Sequence, residues 1–519
     1  MPTLQFDNRF LHELPGETTE DNRPRQVAGV CWSPVAPTPV RAPSLLAYSP
    51  DMAERLDLTA DDIRDPAFVE AMSGNRLLDG MAPFATCYGG HQFGHWAGQL
   101  GDGRAISLGE AITGQGERWE LQLKGAGPTP YSRMADGRAV LRSSLREFVC
   151  SEAIHHLGIP TTRALTLCLT GEDVVRDMFY DGHAEAEPGA VVCRVAPSFI
   201  RFGNFEILMA RGETELLRQL TDFTLARDFP ELDAKDPDRY AQLFLTVCER
   251  TALMVAHWMR TGFVHGVMNS DNMSILGLTI DYGPYGWLED FDPLWTPNTT
   301  DAQGRRYCFG RQPEIAHWNL QCLARALSPL IEDHSVFEEG LAAYDRAYAH
   351  HFRTMYADKL GLEAIRDDDE ELVQAMFAML QAAELDMTLF FRHLADLDPA
   401  QPSLAPIETA FYRADLRDSQ EKQVQEWLTR YATRLKAQSL PDGERRARMN
   451  AANPKYVFRN YLAQQAIDSV EAGDTGPLHE LMKVLRRPYD EQPHYEKYAA
   501  RRPEWARHKA GCSMLSCSS

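Results

Sequence analysis

The order of sequence patterns along this 519-residue chain is the feature that most limits its fold. From Cys87 to about Gly203 the sequence is rich in glycine and in short alternating apolar runs, which are typical of strands. After Asn204, long amphipathic patterns predict helices near 213–228, 238–261, 313–333 and 368–397. Strands followed by helices indicate an α+β chain with two lobes, and a cleft between lobes commonly binds a ligand.

The two ends of the chain differ from this central part. Residues 1–80 are rich in proline and contain two short helical patterns, 44–56 and 60–73, so we predict an extension packed on the core. The predicted divisions are 1–80 for this extension, 81–205 for the strand-rich lobe, 206–500 for the helical lobe and 501–519 for a tail. Cys512 and Cys517 lie in the polar tail, where we expect exposed thiols.

Composition excludes several classes of protein. A formal net charge of −21 disfavours a nucleic-acid partner, because phosphate binding draws on basic surface. No apolar run is long enough to cross a bilayer, and residues 1–20 lack the basic and then apolar pattern of a secretory signal. We expect a cytoplasmic protein without a nucleic-acid or membrane partner. A monomer is the working expectation, although the sequence does not determine the oligomeric state.

Two glycine-rich segments, 88–94 and 98–104, open the strand-rich region and together contain six glycines. Glycine permits positive φ and close approach of a ligand to the backbone. Backbone N–H groups there could bind phosphate oxygens, with Arg104 adding a charge. The alternative is an ordinary glycine-rich hairpin.

The next predicted strand carries a Lys, and the helix that follows it carries a Glu that could pair with that Lys. In the strand 119–125, Lys124 shares a face with Gln122, opposite the apolar residues. The helix predicted over 139–157 carries Glu147 on a polar stripe, away from its apolar stripe. We predict that Glu147 pairs with Lys124. The alternatives are a solvated edge lysine and a surface pair between Glu147 and Arg146.

Two arginines, Arg194 and Arg201, lie among apolar residues just before the helical region. A guanidinium is rarely buried without an anion. Its partner here is either a structural Asp or Glu, or a nucleotide phosphate.

The segment 265–272, followed by Asp281, has the spacing of a protein-kinase catalytic loop and metal-binding triplet. Asn272 stands seven residues after His265, as in that pattern, but Val267 occupies the position of the catalytic Asp. Asn272 and Asp281 offer the oxygen ligands that Mg²⁺ prefers, and Asp271 is the nearest carboxylate able to act as a base. The alternative is a pair of simple turns.

These residues together resemble the selenoprotein O family, kinase-like proteins that transfer AMP instead of phosphate. The resemblance covers nearly the whole chain and rests on the blocks 88–104, 121–127, 141–148, 194–203, 263–275, 281–286 and 516–519. It implies a bilobal protein-kinase-like fold with a mostly β N-lobe, a helical C-lobe and helical extensions at both ends. It also implies transfer of AMP from ATP to Ser, Thr or Tyr hydroxyls of proteins, with release of pyrophosphate.

The resemblance further implies roles for individual residues. ATP would bind flipped relative to kinases, so that its α-phosphate faces the incoming hydroxyl and Arg194 and Arg201 meet the terminal phosphates. Asp271 would be the proton acceptor, and Asn272 and Asp281 would hold Mg²⁺ or Mn²⁺. The nucleotide would be bound by Gly101, Gly103, Arg104, Lys124, Asp136, Gly137, Arg194, Arg201 and Asp281, with Glu147 pairing with Lys124.

Two further features follow from the resemblance alone. Some members use UTP with manganese, so UMP transfer is a second possible activity. The family is also linked to redox control through its C-terminal cysteine, and Cys517 could pair with Cys308 or Cys512. Two rival functions stay open: phosphoryl transfer with Asp271 as the base, and a pseudokinase scaffold that binds nucleotide without catalysis.

Overall fold

The computed structural model describes residues 4–179 and 181–516. The described residues form thirteen strands, nine of which make one antiparallel sheet in the first half of the chain. The strands are β1 (Gln5–Phe6), β2 (Trp32–Pro34), β3 (Ser44–Tyr48), β4 (Phe84–Thr86), β5 (Gly89–Gln92), β6 (His95–Gln99), β7 (Ala105–Ile112), β8 (Arg118–Lys124), β9 (Ala139–Val140), β10 (Arg163–Arg176), β11 (Glu185–Ala196), β12 (Phe263–Val264) and β13 (Gly286–Trp287). The sheet order is β2-β4-β7-β8-β11-β10-β3, with β1 on β7 and β9 on β11. Two small sheets, β5-β6 and β12-β13, stand apart from it.

The α-helices of the described residues begin near the N-terminus and dominate the chain from Phe202 onward. They are α1 (Arg9–Glu13), α2 (Pro50–Arg55), α3 (Ala60–Arg64), α4 (Pro66–Met72), α5 (Leu141–His156), α6 (Phe202–Ala210), α7 (Thr214–Asp228), α8 (Arg239–Thr261), α9 (Gln312–Leu327), α10 (Ser335–Lys359), α11 (Glu370–Ala382), α12 (Met387–Leu394), α13 (Ala414–Lys436), α14 (Asp442–Ala452), α15 (Asn460–Glu471) and α16 (Gly476–Leu485). The predicted α+β class is therefore confirmed. None of the described helices combines the length and apolar character needed to cross a bilayer.

Four predicted helices differ from the structure. The pattern over 60–73 forms two helices, α3 and α4, because Asp65 leaves the helical conformation and caps the second one. Residues 44–56 are not one helix: Ser44–Tyr48 is a strand that pairs with β10, and the helix begins only at Pro50, where Ser49 caps it. The pattern over 368–397 is broken after α11, because Glu384 adopts a left-handed φ of 47° and Asp386 caps a new helix. The helix predicted to reach 333 ends at Leu327.

The end of helix α8 and the pairing of β12 with β13 bring the segment 265–272 close to Asp281. Helix α8 ends at Gly262, whose φ of 76° lets the chain reverse. Strand β12 then pairs with β13, with Val264 opposite Gly286. This pairing holds the loop that follows β12 beside the segment that precedes β13.

A buried ion cluster joins three parts of the helical region. Arg459, just before α15, lies 2.8 Å from the Asp386 carboxylate and also contacts Glu289. The Tyr412 hydroxyl donates to Asp386 at 2.7 Å. Because all these groups are desolvated, each charge depends on its partner.

Replacing Arg459 by Met is expected to lower the free energy of unfolding by about 3–5 kcal/mol, because two buried carboxylates lose their cation. Urea unfolding followed by circular dichroism measures the change. The matched control is Arg430→Met, which removes a half-exposed arginine paired with Glu371 and should cost less than about 1 kcal/mol. Equal effects of the two substitutions would contradict the prediction.

Candidate functional site

The loop after β12 is anchored to the segment after it by a buried histidine. The His265 ring donates from Nε2 to the carbonyl of Ile280, 2.8 Å away, while its Nδ1 accepts from the N–H of Val267. Burial lowers the pKa of His265, which favours this neutral ring. His265 therefore places Asp281 next to the loop that carries Asp271 and Asn272.

Asp281 lies between two buried arginines. Arg194 Nη1 is 2.5 Å from Asp281 Oδ1, and Arg201 Nη1 binds Oδ2. Burial alone would raise the pKa of Asp281, but Arg201 and Arg194 outweigh it and hold that pKa far below its usual range. The backbone of Asp281 has a φ of 60°, a conformation that Asp and Asn tolerate better than most residues. The structure thus supplies the carboxylate partner that the two buried arginines require.

Lys124 and Glu147 form the pair that the sequence predicts. Lys124 Nζ lies 2.5 Å from Glu147 Oε2, and Arg194 Nη1 lies 3.1 Å from Glu147 Oε1. Burial lowers the pKa of Lys124 to about 8, with Glu147 opposing that shift. Strand pairing explains the contact, because Lys124 and Arg194 lie on the neighbouring strands β8 and β11, and α5 packs against β11.

The two arginines retain unused donors. The Nε atoms of Arg194 and Arg201 are buried and have no hydrogen-bond partner among residues 4–179 and 181–516. Unpaired buried donors are costly and call for a ligand. Arg104 lies near the same carboxylates: burial lowers its pKa, and the negative charges of Glu147 and Asp281 oppose that effect. These donors suit an anion with several oxygens.

Asp271 is a buried carboxylate on a 3-10 turn, Ser270–Asn272. Its Oδ2 accepts from Gln92 Nε2 at 3.3 Å, whereas its Oδ1 has no partner within the described part of the chain. Burial raises the pKa of Asp271 to about 7, against the opposing effects of Gln92 and Arg201. A carboxyl with a pKa near neutrality is suited to proton transfer.

Asn272 and Asp281 have the donor chemistry that a hard divalent cation needs. The Asn272 side chain donates from Nδ2 to the Val267 carbonyl at 2.9 Å, so its amide oxygen is the atom offered to a metal. Each Asp281 oxygen accepts one guanidinium and retains lone pairs for a cation. The unpartnered Asp271 oxygen lies on the same turn. The residues present therefore fit Mg²⁺ or Mn²⁺.

The two glycine-rich segments have different structures: the first forms part of the β5-β6 hairpin, and the second ends in a turn before β7 of the large sheet. Segment 88–94 contributes to the β5-β6 hairpin, and Gly90 packs so closely that an added Cβ would lie 2.7 Å from Asp271 Oδ1. Gly101 has a φ of 85° and leaves no room for a side chain beside Tyr131. The N–H of Gly103 donates to the Gly101 carbonyl at 2.8 Å. These two glycines form a tight turn before β7.

Asp136 and Gly137 lie in the loop before β9. Asp136 is half exposed and lies 2.6 Å from Arg176 of β10, which favours the carboxylate and lowers its pKa against the effect of burial. Arg176 in turn acts electrostatically on Arg104. The contacts of Asp136 are thus with arginines at the edge of the cluster, and its role in nucleotide binding stays a prediction.

The predicted exposure of the tail is wrong for Cys512. Cys512 is buried and not exposed, because the tail folds back on the segment after Asp281. The N–H of Leu515 donates to the Pro297 carbonyl at 3.0 Å, and the N–H of Thr299 donates to the Leu515 carbonyl at 2.8 Å. Cys308 and Cys512 are buried free thiols. Cys517 lies outside the described residues, so its pairing stays a prediction.

Three polar residues of the site were not predicted from the sequence. Gln122 accepts a hydrogen bond from Arg194, and Asp102 lies 3.9 Å from Arg201. Gln92 contacts Asp271 from the hairpin. The alternation of strand β8 could have identified Gln122, because it shares a face with Lys124. The contacts of Asp102 and Gln92 could not be predicted in this way, because they form between segments that are distant in the sequence.

Comparison with known proteins adds independent information. Residues 22–486 match the family model described as protein adenylyltransferase SelO. Proteins named protein nucleotidyltransferase YdiU are similar over their whole length. That of Methylobacillus flagellatus is 62% identical over 99% of this chain and 100% of its own. Those of Aromatoleum aromaticum, at 61%, and Xanthomonas axonopodis pv. citri, at 62%, match over 100% of both chains.

Proposed function

This chain belongs to the protein adenylyltransferase SelO family and is an enzyme of the nucleotidyltransferase class, and from that premise we propose that it transfers AMP from ATP to protein hydroxyls. The observation that carries the proposal is the set of buried cations, Lys124, Arg194 and Arg201, gathered around the carboxylates of Glu147 and Asp281. Such a set suits the triphosphate of a nucleotide more than its base.

The proposal includes a kinase-like arrangement of two lobes with a flipped nucleotide. The antiparallel sheet carries Lys124 and Arg194, and the helical region carries the loop with Asp271. Arg194 and Arg201 would bind the β- and γ-phosphates deep beneath the sheet. The α-phosphate would then lie on the side of Asp271. Gly101, Gly103, Arg104, Asp136 and Gly137 would complete the nucleotide site.

The reaction follows from these positions. A Ser, Thr or Tyr oxygen of the protein substrate forms a bond to the α-phosphorus, and the bond from that phosphorus to the bridging oxygen of the β-phosphate breaks. The hydroxyl proton passes to Asp271, and pyrophosphate leaves. Lys124, fixed by Glu147, and the two arginines stabilise the charge on pyrophosphate. Asn272 and Asp281 would hold Mg²⁺ or Mn²⁺, which when bound neutralises phosphate charge.

Labelled ATP tests the proposal. The full chain is incubated with Mg²⁺ or Mn²⁺, a bacterial protein extract as acceptor, and ATP labelled in either the α- or the γ-phosphate. We expect label in protein from α-labelled ATP alone, because pyrophosphate carries the γ-phosphate away. The Asp281→Ala variant serves as the inactive control.

The other outcomes distinguish the rivals. Label from γ-labelled ATP would establish phosphoryl transfer, with Asp271 in the role that Val267 cannot fill. Nucleotide binding without label from either position would indicate a scaffold. A parallel incubation with α-labelled UTP and Mn²⁺ tests UMP transfer.

A further inference from the structure

A cluster of three side chains of metal-binding types lies beside the hairpin that covers Asp271. We propose that His91, Glu206 and Cys322 bind a divalent transition-metal ion, best matched by Zn²⁺. Their ligand atoms lie within 4.8 Å of one another. His91 comes from strand β5, Glu206 from α6 and Cys322 from α9, so an ion here would join the hairpin to two helices.

The donor types fit zinc. Imidazole nitrogen, carboxylate oxygen and thiolate sulfur are its usual protein ligands, and three of them leave a fourth tetrahedral position for water. Glu206 and the thiolate of Cys322 carry two negative charges between them, which balance a divalent cation. Mg²⁺, which prefers oxygen ligands, suits this set poorly.

Glu206 supplies an independent sign of a missing ligand. Its side chain is only 1% exposed, and its Oε1 has no hydrogen-bond partner within the described part of the chain. Its Oε2 lies 2.5 Å from His91 Nδ1. A carboxylate buried with one oxygen unsatisfied is costly, and a metal ion bound by both carboxylate oxygens would relieve that cost.

Small adjustments would complete the coordination. Bond lengths of about 2.0–2.3 Å place tetrahedral ligand atoms roughly 3.4 Å apart. The 2.5 Å separation of His91 Nδ1 and Glu206 Oε2 must therefore increase by about 1 Å when both atoms bind the ion. Arg325 Nη2 lies 3.1 Å from Cys322 Sγ, an N–H contact that a metal-bound sulfur can also accept. The thiol proton is released when zinc binds.

This location connects the ion to the candidate active site without sharing its ligands. The N–H of His91 donates to Ser270 Oγ at 2.7 Å, and the adjacent Gln92 contacts Asp271. The N–H of Phe93 also donates to Asn269. An ion on His91 would fix the β5-β6 hairpin over the turn that holds Asp271.

Metal analysis tests this site directly and without nucleotide, so its result is independent of the proposed transfer activity. The full chain is stripped with a chelator, loaded with Zn²⁺, desalted and analysed by mass spectrometry for metal. We expect about one zinc per chain, with zinc affinity reduced at least about 100-fold by Cys322→Ser or His91→Gln. Cys308→Ser, another buried free thiol, and Asp281→Asn are the matched controls and should retain zinc.

Cobalt gives a second readout. Co²⁺ in this site should show tetrahedral d–d bands and a thiolate charge-transfer band, and Cys322→Ser should remove the latter. Circular dichroism verifies that each variant is folded. The proposal is overturned if the wild type retains no zinc, if both ligand variants hold as much zinc as the controls, or if bound Co²⁺ lacks the thiolate band.

Discussion

Replacing Asp281 by Asn is expected to reduce AMP transfer on the order of 10³-fold, equivalent to about 4 kcal/mol of lost transition-state stabilisation. The substitution keeps the left-handed backbone conformation, which Asn tolerates, but removes the charge that pairs with two arginines and that would bind the proposed metal. Initial rates with α-labelled ATP measure the loss. Asp281→Ala, which removes the ligand altogether, should be at least as severe.

The same substitution makes a prediction of opposite sign for nucleotide binding without metal. Arg194 and Arg201 lose their carboxylate, which destabilises the nucleotide-free protein by about 3–5 kcal/mol and leaves the guanidinium groups available to phosphates. In EDTA, ATP should therefore raise the thermal unfolding midpoint of Asp281→Asn more than that of the wild type.

The matched control is Asp292→Asn, in the same segment. That carboxylate accepts a hydrogen bond from the N–H of Leu294, and its replacement should change the transfer rate and the ATP-induced stabilisation little. A smaller ATP-induced shift in Asp281→Asn than in the wild type would argue that the triphosphate does not meet these arginines.

Replacing Asp271 by Asn is expected to slow transfer by about 10²–10⁴-fold, the usual contribution of a general base. The side chain keeps its size beneath Gly90 and its place beside Gln92 but can no longer accept the hydroxyl proton. Because Lys124, Arg194 and Arg201 are untouched, the affinity for ATP should change by less than about tenfold.

Single-turnover rates and calorimetric titration with ATP separate these two effects for Asp271→Asn. Asp292→Asn again serves as the control for a conservative change of charge in this region. A variant with full transfer rate would exclude Asp271 as the proton acceptor. A variant that has lost ATP affinity along with rate would instead assign Asp271 to binding.

Hydrophobic periodicity and glycine positions predicted secondary structure correctly where the conformation of a segment depends on its own residues. Helix α8 and its end at Gly262 follow from apolar periodicity and a glycine, and strand β8 follows from alternation. Local signals failed where a distant partner decides. Ser44–Tyr48 is a strand because β10 offers it an edge, and Cys512 is buried because the tail packs beside 297–299.

The sequence by itself determined the chemical parts of the candidate site: a Lys on a strand, a Glu on the following helix, and an Asn and an Asp at fixed spacing in two loops. Only the tertiary structure decided that Arg194 and Arg201 both form ion pairs with Asp281. It also decided that the β5-β6 hairpin places Gln92 in contact with Asp271 and His91 in contact with Glu206. The physical reason is that spacing along a strand or helix is set by local backbone geometry, whereas contacts between distant segments depend on how the whole core packs.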